Sequence, residues 1–277
     1  MGKVLSSDGT PIAFDRSGKG PPLILVDGAL CYRASGPMGP LAALLAPHFT
    51  VFTYDRRGRG DSGDTTPYAV EREVEDIEAL INEAGGSAFV YGISSGAALA
   101  LEAANRGLAI EKLALYEAPF IVDGSRPPIP EDYLPQLNQL IASDRRADAV
   151  KLFMNAVGVA AIFVALMRFM PAWSRLKAVA HTLVYDAIIV VDNQRGKPLP
   201  AKRWASVMAP ALVVIGGKSP GWMRYAMQAL AGVLPNAKRH TLEGQTHMVR
   251  PKALAPVLVE FFKGSDGQAE NLDSNRK

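Results

Sequence analysis

Phe89-Val90-Tyr91-Gly92-Ile93-Ser94-Ser95-Gly96-Ala97-Ala98-Leu99-Ala100 decides how the chain is read. It opens as an apolar run, narrows through two glycines around a serine, and leaves as an alanine-rich helix. Gly92 to Gly96 fits G-x-S-x-G, the pattern that presents a serine as a nucleophile on a sharp strand-to-helix turn. The turn works through strain: Ser94 must adopt an unfavourable backbone conformation that lifts its hydroxyl clear of the main chain. Glycines at 92 and 96 remove side chains where strand and helix nearly touch. The helix that follows aims its N-terminus at a reacting carbonyl, and the Ser95 N–H becomes a donor for a developing oxyanion. The competing reading is a plain Gly/Ser turn, and five residues alone do not separate the two.

Working outward, the strand–turn–helix pattern repeats on both sides. Residues 3–16 read as two short strands around Ser7-Asp8-Gly9. Pro21 to Val26 is a continuous apolar run between turns, as expected of a strand buried on both faces. Asp27-Gly28-Ala29-Leu30 is the loop after it. Helical spacing over 35–47 precedes a strand from His48 to Tyr54, and helical spacing over 68–84 precedes the strand of the Ser94 turn, from Ser87 to Tyr91. Lys112 to Tyr116 is the next strand, ending at Glu117. A proline-rich stretch over 121–135 interrupts the alternation, and 131 to about 200 reads as helical. Alternation returns with a strand from Ala211 to Gly216, a helix over 221–233, a strand near 237–242 and a last helix over about 248–263. The polar tail from Gly264 is expected to be disordered.

This alternation predicts an α/β fold: a mostly parallel, twisted sheet with helices on both faces. Reactive loops of such sheets gather at the C-terminal ends of the strands. Asp27-Gly28, Asp55 to Ser62, Ser94, Glu117, Gly216-Gly217 and Glu243 to His247 all fall at such ends.

Composition narrows the function classes. At 277 residues with 48% hydrophobic content the chain can bury a large core. The net charge of +3 is small, and the one tight basic cluster, Arg56-Arg57-Gly58-Arg59, has no interleaved aromatics, so no nucleic-acid partner is expected. A single cysteine, Cys31, excludes an internal disulfide and fits a reducing compartment. No signal-peptide core is present near Met1, and the apolar stretch Phe153 to Met167 is shorter than the roughly 20 residues of a membrane span. The expectation is a cytoplasmic protein without membrane association. Oligomeric state is not legible.

Read together, these residues resemble the α/β-hydrolase family over about 3–263. The turn at Gly92–Gly96 fits, Tyr54-Asp55-Arg56-Arg57-Gly58-Arg59-Gly60-Asp61-Ser62 resembles the family's D-x-R-G-x-G-x-S turn, and Leu242-Glu243-Gly244-Gln245-Thr246-His247 resembles its late segment carrying the catalytic base. The resemblance implies a core domain of 1–128 and 201–263, a helical cap over 129–200 and a tail over 264–277. It implies a serine hydrolase for a small-molecule carboxylic ester or lactone, with no metal and no organic cofactor. Ser94 is then the nucleophile and His247 the base, while the N–H groups of Ala29 and Ser95 form the oxyanion hole. Perhydrolysis and C–C bond hydrolysis are open to the same residues. A ligand-binding protein on the same scaffold is the alternative of another class.

Two departures from the family pattern stand out. The first loop reads Asp27-Gly28 where His-Gly is usual, and Asp27 is expected to turn aside and hold its loop through hydrogen bonds. The loop at Gly216-Gly217-Lys218-Ser219-Pro220-Gly221, the usual place of the acid, has no carboxylate. Glu117 is expected to orient His247 instead, with Asp123 as second choice and a Ser–His dyad as third. Of the other histidines, His48 precedes a strand, His181 lies in the cap and His240 is expected at the surface. Cys31 reads as a buried thiol, and Arg56, Arg57 and Arg59 as braces of their own turn.

Overall fold

The computed structural model describes residues 1–264. The thirteen-residue remainder of the expected tail, 265–277, lies outside the described residues. Strands β1 (Gly2–Leu5), β2 (Pro11–Ser17), β3 (Pro22–Val26), β4 (Thr50–Tyr54), β5 (Ala88–Ile93), β6 (Ile110–Tyr116), β7 (Ala211–Gly216) and β8 (Ala237–Leu242) form one sheet in the order β1-β2-β4-β3-β5-β6-β7-β8. From β4 through β8 every pairing is parallel; β1 and β2 close one edge antiparallel. Chain order reverses between β3 and β4, so β3 and β5 lie side by side at the centre. Their C-terminal ends bring Asp27-Gly28 beside Ser94.

Alternation along these strands fills both faces. Ile24, Val26 and Val90 face a core shared with α2 (Val70–Glu83), α3 (Ser95–Asn105) and α9 (Gly221–Val233). Leu23, Leu25, Phe89 and Tyr91 face a second core shared with α1 (Met38–Leu45) and α10 (Pro251–Lys263). A sheet buried on both sides needs such continuously apolar strands.

Between β6 and β7 the chain runs as α4 (Tyr133–Ala142), α5 (Arg146–Ala156), α6 (Ala161–Met167), α7 (Ala172–Ala178) and α8 (Leu183–Val190), with one-turn 3-10 segments on either side of α8. These helices hold a third apolar cluster, built on Tyr133, Leu137, Trp173 and Leu183, that also takes in Leu30 and Ile121 from loops of the sheet. The apolar stretch 153–167 is broken at Gly158, whose φ of 92° lies in the left-handed region that glycine enters without penalty. No described helix is long and apolar enough to cross a membrane.

Element boundaries differ from the sequence reading in small ways. α1 spans less than 35–47 because Pro37 and Pro40 confine its start, and β4 begins at Thr50 rather than His48. β5 continues to Ile93, two residues beyond Tyr91. α10 begins at Pro251, not 248, since proline suits the first helical position and Met248 to Arg250 belong to the loop after β8.

Candidate active site

Ser94 ends β5 and precedes α3 with φ 57° and ψ −128°, the strained geometry its sequence context calls for. Backbone bonds hold it there: Ser94 N–H donates to Tyr116 O (2.9 Å), and Ala97 N–H donates to Ser94 O (3.0 Å). The flanking glycines are obligatory. A Cβ on Gly92 would sit 2.4 Å from Gly96 O, and one on Gly96 would sit 2.4 Å from Val26 O. Ser94 itself is half-buried, whereas Ser95 is buried. As first residue of α3, Ser95 has an N–H with no acceptor inside the helix.

Glu117 terminates the neighbouring strand β6 and repeats the device, with φ 48° in a non-glycine residue. This turns its side chain across the strand ends. The carboxylate is fully buried and fully used: Oε1 accepts from Gly216 N–H (2.7 Å) and from the Ser219 hydroxyl (2.5 Å), and Oε2 lies 2.8 Å from His247 Nδ1. Gly216 and Ser219 belong to the loop that has no carboxylate of its own. That loop supplies donors instead, a role sequence reading did not assign because serine and glycine there carry no distinctive pattern.

His247 is carried by the loop from Glu243 to Arg250. Gly244 turns it at φ 72°, the Gln245 side chain accepts from Arg250 N–H (3.1 Å), and the Tyr116 hydroxyl donates to Thr246 O (2.7 Å). The imidazole is 39% exposed, with its Nδ1 side against a buried carboxylate. A carboxylate only accepts, so in the neutral imidazole this contact favours the tautomer with the proton on Nδ1, which leaves the lone pair on Nε2. Asp123 is elsewhere: it is turned to its own loop, accepting from Ser125 N–H (2.9 Å) and the Ser125 hydroxyl, bonds that hold its carboxyl below the usual range.

The loop after β3 runs beside Ser94, and a Cβ on Gly28 would lie 3.7 Å from Ser94 Oγ. Asp27 is buried, with Oδ1 accepting from Gly28 N–H (2.9 Å). Desolvation raises its pKa to about 7 despite the nearby Arg59 and Arg56. Cys31 is half-buried, and burial beside Asp27 pushes its thiol up, away from nucleophilic thiolate character.

The three arginines do more than brace their own turn. Arg56, Arg57 and Arg59 are all essentially buried. Arg57 forms a bidentate pair with Asp76 of α2 (2.6 and 2.8 Å), and Arg56 does the same with Glu73 (both 2.7 Å). Arg56 and Arg59 each also reach Asp186 of α8 at 2.7 Å. Asp186 accepts from the Ser95 hydroxyl as well (2.7 Å), so that hydroxyl is engaged and not idle. Nothing in the sequence around Asp186 marks it, since its partners are about 90 to 130 residues away.

Of the remaining histidines, His181 lies 3.7 Å from Asp64 and edge-on to Tyr185, while His48 and His240 are half-buried, His240 more so than expected. Among the described residues no group of three His, Cys, Asp or Glu side chains is gathered closely enough to hold a metal ion.

The chain is similar to known proteins in sequence and in fold. A sequence model of the alpha/beta hydrolase family matches residues 23–257. The chain is 28% identical over 239 residues to a pimeloyl-[acyl-carrier protein] methyl ester esterase of Xanthomonas campestris, covering 84% of this chain and 90% of that protein. Among solved structures, an alpha/beta hydrolase from Sphaerobacter thermophilus is 58% identical with a TM-score of 0.87, over 94% of this chain and all of the other. An enol-lactonase from Burkholderia xenovorans shares the fold at 22% identity and a TM-score of 0.69, over 95% of this chain and all of the other. With the strand order, the strained serine turn and a family match across most of its length, the chain belongs to the alpha/beta hydrolase family.

Proposed function

We propose that the protein is a serine hydrolase that cleaves a carboxylic ester or lactone through an acyl-enzyme on Ser94. The observation that carries this reading is the buried Glu117 carboxylate 2.8 Å from His247 Nδ1, at the same strand-end edge as the strained Ser94. Ser94 Oγ attacks the substrate carbonyl carbon while His247 Nε2 takes its proton, and Glu117 stabilises the imidazolium without itself becoming protonated. The N–H groups of Ala29 and Ser95 stabilise the carbonyl oxygen as it becomes an oxyanion. Collapse of the tetrahedral intermediate breaks the C–O bond, and the departing alkoxide takes the proton from Nε2. A water molecule then repeats the sequence on the acyl-enzyme, giving the acid and free Ser94. The helices between β6 and β7 act as a cap that shapes the acyl site. The likeness to a methyl ester esterase across 84% of the chain supports ester chemistry.

Incubation with a fluorophosphonate, followed by peptide mapping, tests the nucleophile. Modification at Ser94, together with turnover of p-nitrophenyl esters or lactones by the wild type but not by Ser94→Ala, is expected. An unlabelled, inactive wild type would favour a ligand-binding role on this scaffold.

A further inference from the structure

One carboxylate from the helical insert touches the supports of both proposed oxyanion donors. Asp186, on α8, is buried; its Oδ1 accepts from the Ser95 hydroxyl and from Arg56, and its Oδ2 from Arg59, each at 2.7 Å. Ser95 owns one of the two donor N–H groups. The other arm runs through Arg59, whose guanidinium donates to Gly28 O (2.6 Å) and Cys31 O (3.1 Å). Gly28 C=O and Ala29 N–H belong to one peptide unit. In a planar trans peptide these groups point in opposite directions. Gripping Gly28 O in the buried charge cluster therefore fixes where Ala29 N–H points, away from that cluster.

Burying this cluster does not serve stability in any obvious way, because paired buried charges contribute little net over apolar residues of similar volume. Besides the pair of Arg56 with Glu73 of α2, its connections run to the loop after β3, the start of α3 and the insert. Resting on the serine-hydrolase reading above, we propose that Asp186 is a positioning residue: it aligns the Ala29 and Ser95 donors and so makes the oxyanion hole dependent on the insert being seated. An insert that lifts away withdraws the carboxylate, frees Arg59 from its anchor and lets the peptide between Gly28 and Ala29 rotate.

Two variants test this with two readouts. Asp186→Asn keeps the side-chain volume but removes the charge that holds Arg56 and Arg59; Ser95→Ala removes the hydroxyl, with its bond to Asp186 and the longer one it accepts from Arg56 (3.4 Å), and spares the ion pairs of both arginines with Asp186. Misaligned donors weaken transition-state binding selectively, so kcat per phosphonate-titratable site is expected to fall by about 10- to 100-fold for Asp186→Asn, with KM changed less than about threefold. Ser95→Ala is expected to lose about 3- to 10-fold in kcat on the same grounds. Hydrogen exchange is expected to accelerate at the 28–31 amides in Asp186→Asn while β5 and β6 stay protected. A lowered melting temperature with kcat and loop exchange unchanged would make Asp186 merely structural and overturn the proposal. Should Asp186→Asn not fold, an unchanged kcat in Ser95→Ala would overturn it equally. If the wild type is inactive, the serine-hydrolase reading fails on its own, and loop exchange still decides whether the insert fixes the 28–31 backbone.

Discussion

Glu117 Oε2 lies 2.8 Å from His247 Nδ1, although the two residues are 130 positions apart in the chain. Glu117 reaches the histidine from the end of β6, one strand over from Ser94, and its second oxygen is saturated by Gly216 N–H and the Ser219 hydroxyl. The bonds to Oε1 leave Oε2 as the atom free to face the imidazole. They also hold the carboxylate from the side away from His247.

Glu117→Gln is expected to preserve this shape and lower kcat by about 10²–10⁴-fold, because an amide neither stabilises an imidazolium nor enforces the Nδ1–H tautomer. Steady-state kinetics on a p-nitrophenyl ester check it. A rate equal to wild type would leave a Ser–His dyad or an acid from the insert.

Ser94→Ala is expected to reduce turnover by at least about 10³-fold without loss of fold, and His247→Ala by a similar factor, since members of a coupled unit are not additive. His181→Ala, which removes a ring held by Asp64 and Tyr185 at the insert, serves as the contrast and is expected to retain activity. Loss confined to His181→Ala would move the base to the insert.

Asp27→Asn is expected to stabilise the protein above neutral pH. The folded Asp27 carboxyl titrates at about 7, raised by burial, while in the unfolded chain it titrates near the usual value of about 4. Between these values the unfolded state has released a proton that the folded state retains. Wild-type stability from this group is therefore full below about pH 4 and is lost as pH rises through about 7. Chemical denaturation at pH 5 and pH 8 should show the variant's advantage growing with pH, to the order of a few kcal/mol. An advantage independent of pH would mean that Asp27 does not titrate in this window.

Arg57→Ala is expected to destabilise by about 3–5 kcal/mol, because it strands the Asp76 carboxylate in the interior without its bidentate partner. Urea unfolding measures it. Arg57 has no bond to Asp186 or to the loop after β3, so kcat of the folded fraction is expected to stay near wild type. A parallel fall in kcat would mean that the Arg57 pair also supports the site.

The sequence by itself determined the sheet and the serine turn. Strands such as Leu23 to Val26 and Phe89 to Ile93 are apolar on both faces, and that pattern is local, so it survives without tertiary information. The same holds for Gly92 and Gly96, where any side chain would overlap backbone 2.4 Å away. The place of His247 in the loop after the last strand was legible because that strand is recognisable, while its assignment as base came from the family resemblance. Glu117 was reached by elimination, since the usual loop had no carboxylate; its bond to His247 depends on β6 lying between β5 and β7. Tertiary structure alone decided what the buried charges do. Arg56, Arg57 and Arg59 read in sequence as braces of their own turn, yet each is enclosed because Glu73 and Asp76 of α2 and Asp186 of α8 arrive to neutralise them. A charge can be buried only where opposite charge meets it. No local pattern records which helix will bring it, and so the link from Asp186 through Arg59 to the peptide between Gly28 and Ala29 exists only in the folded chain.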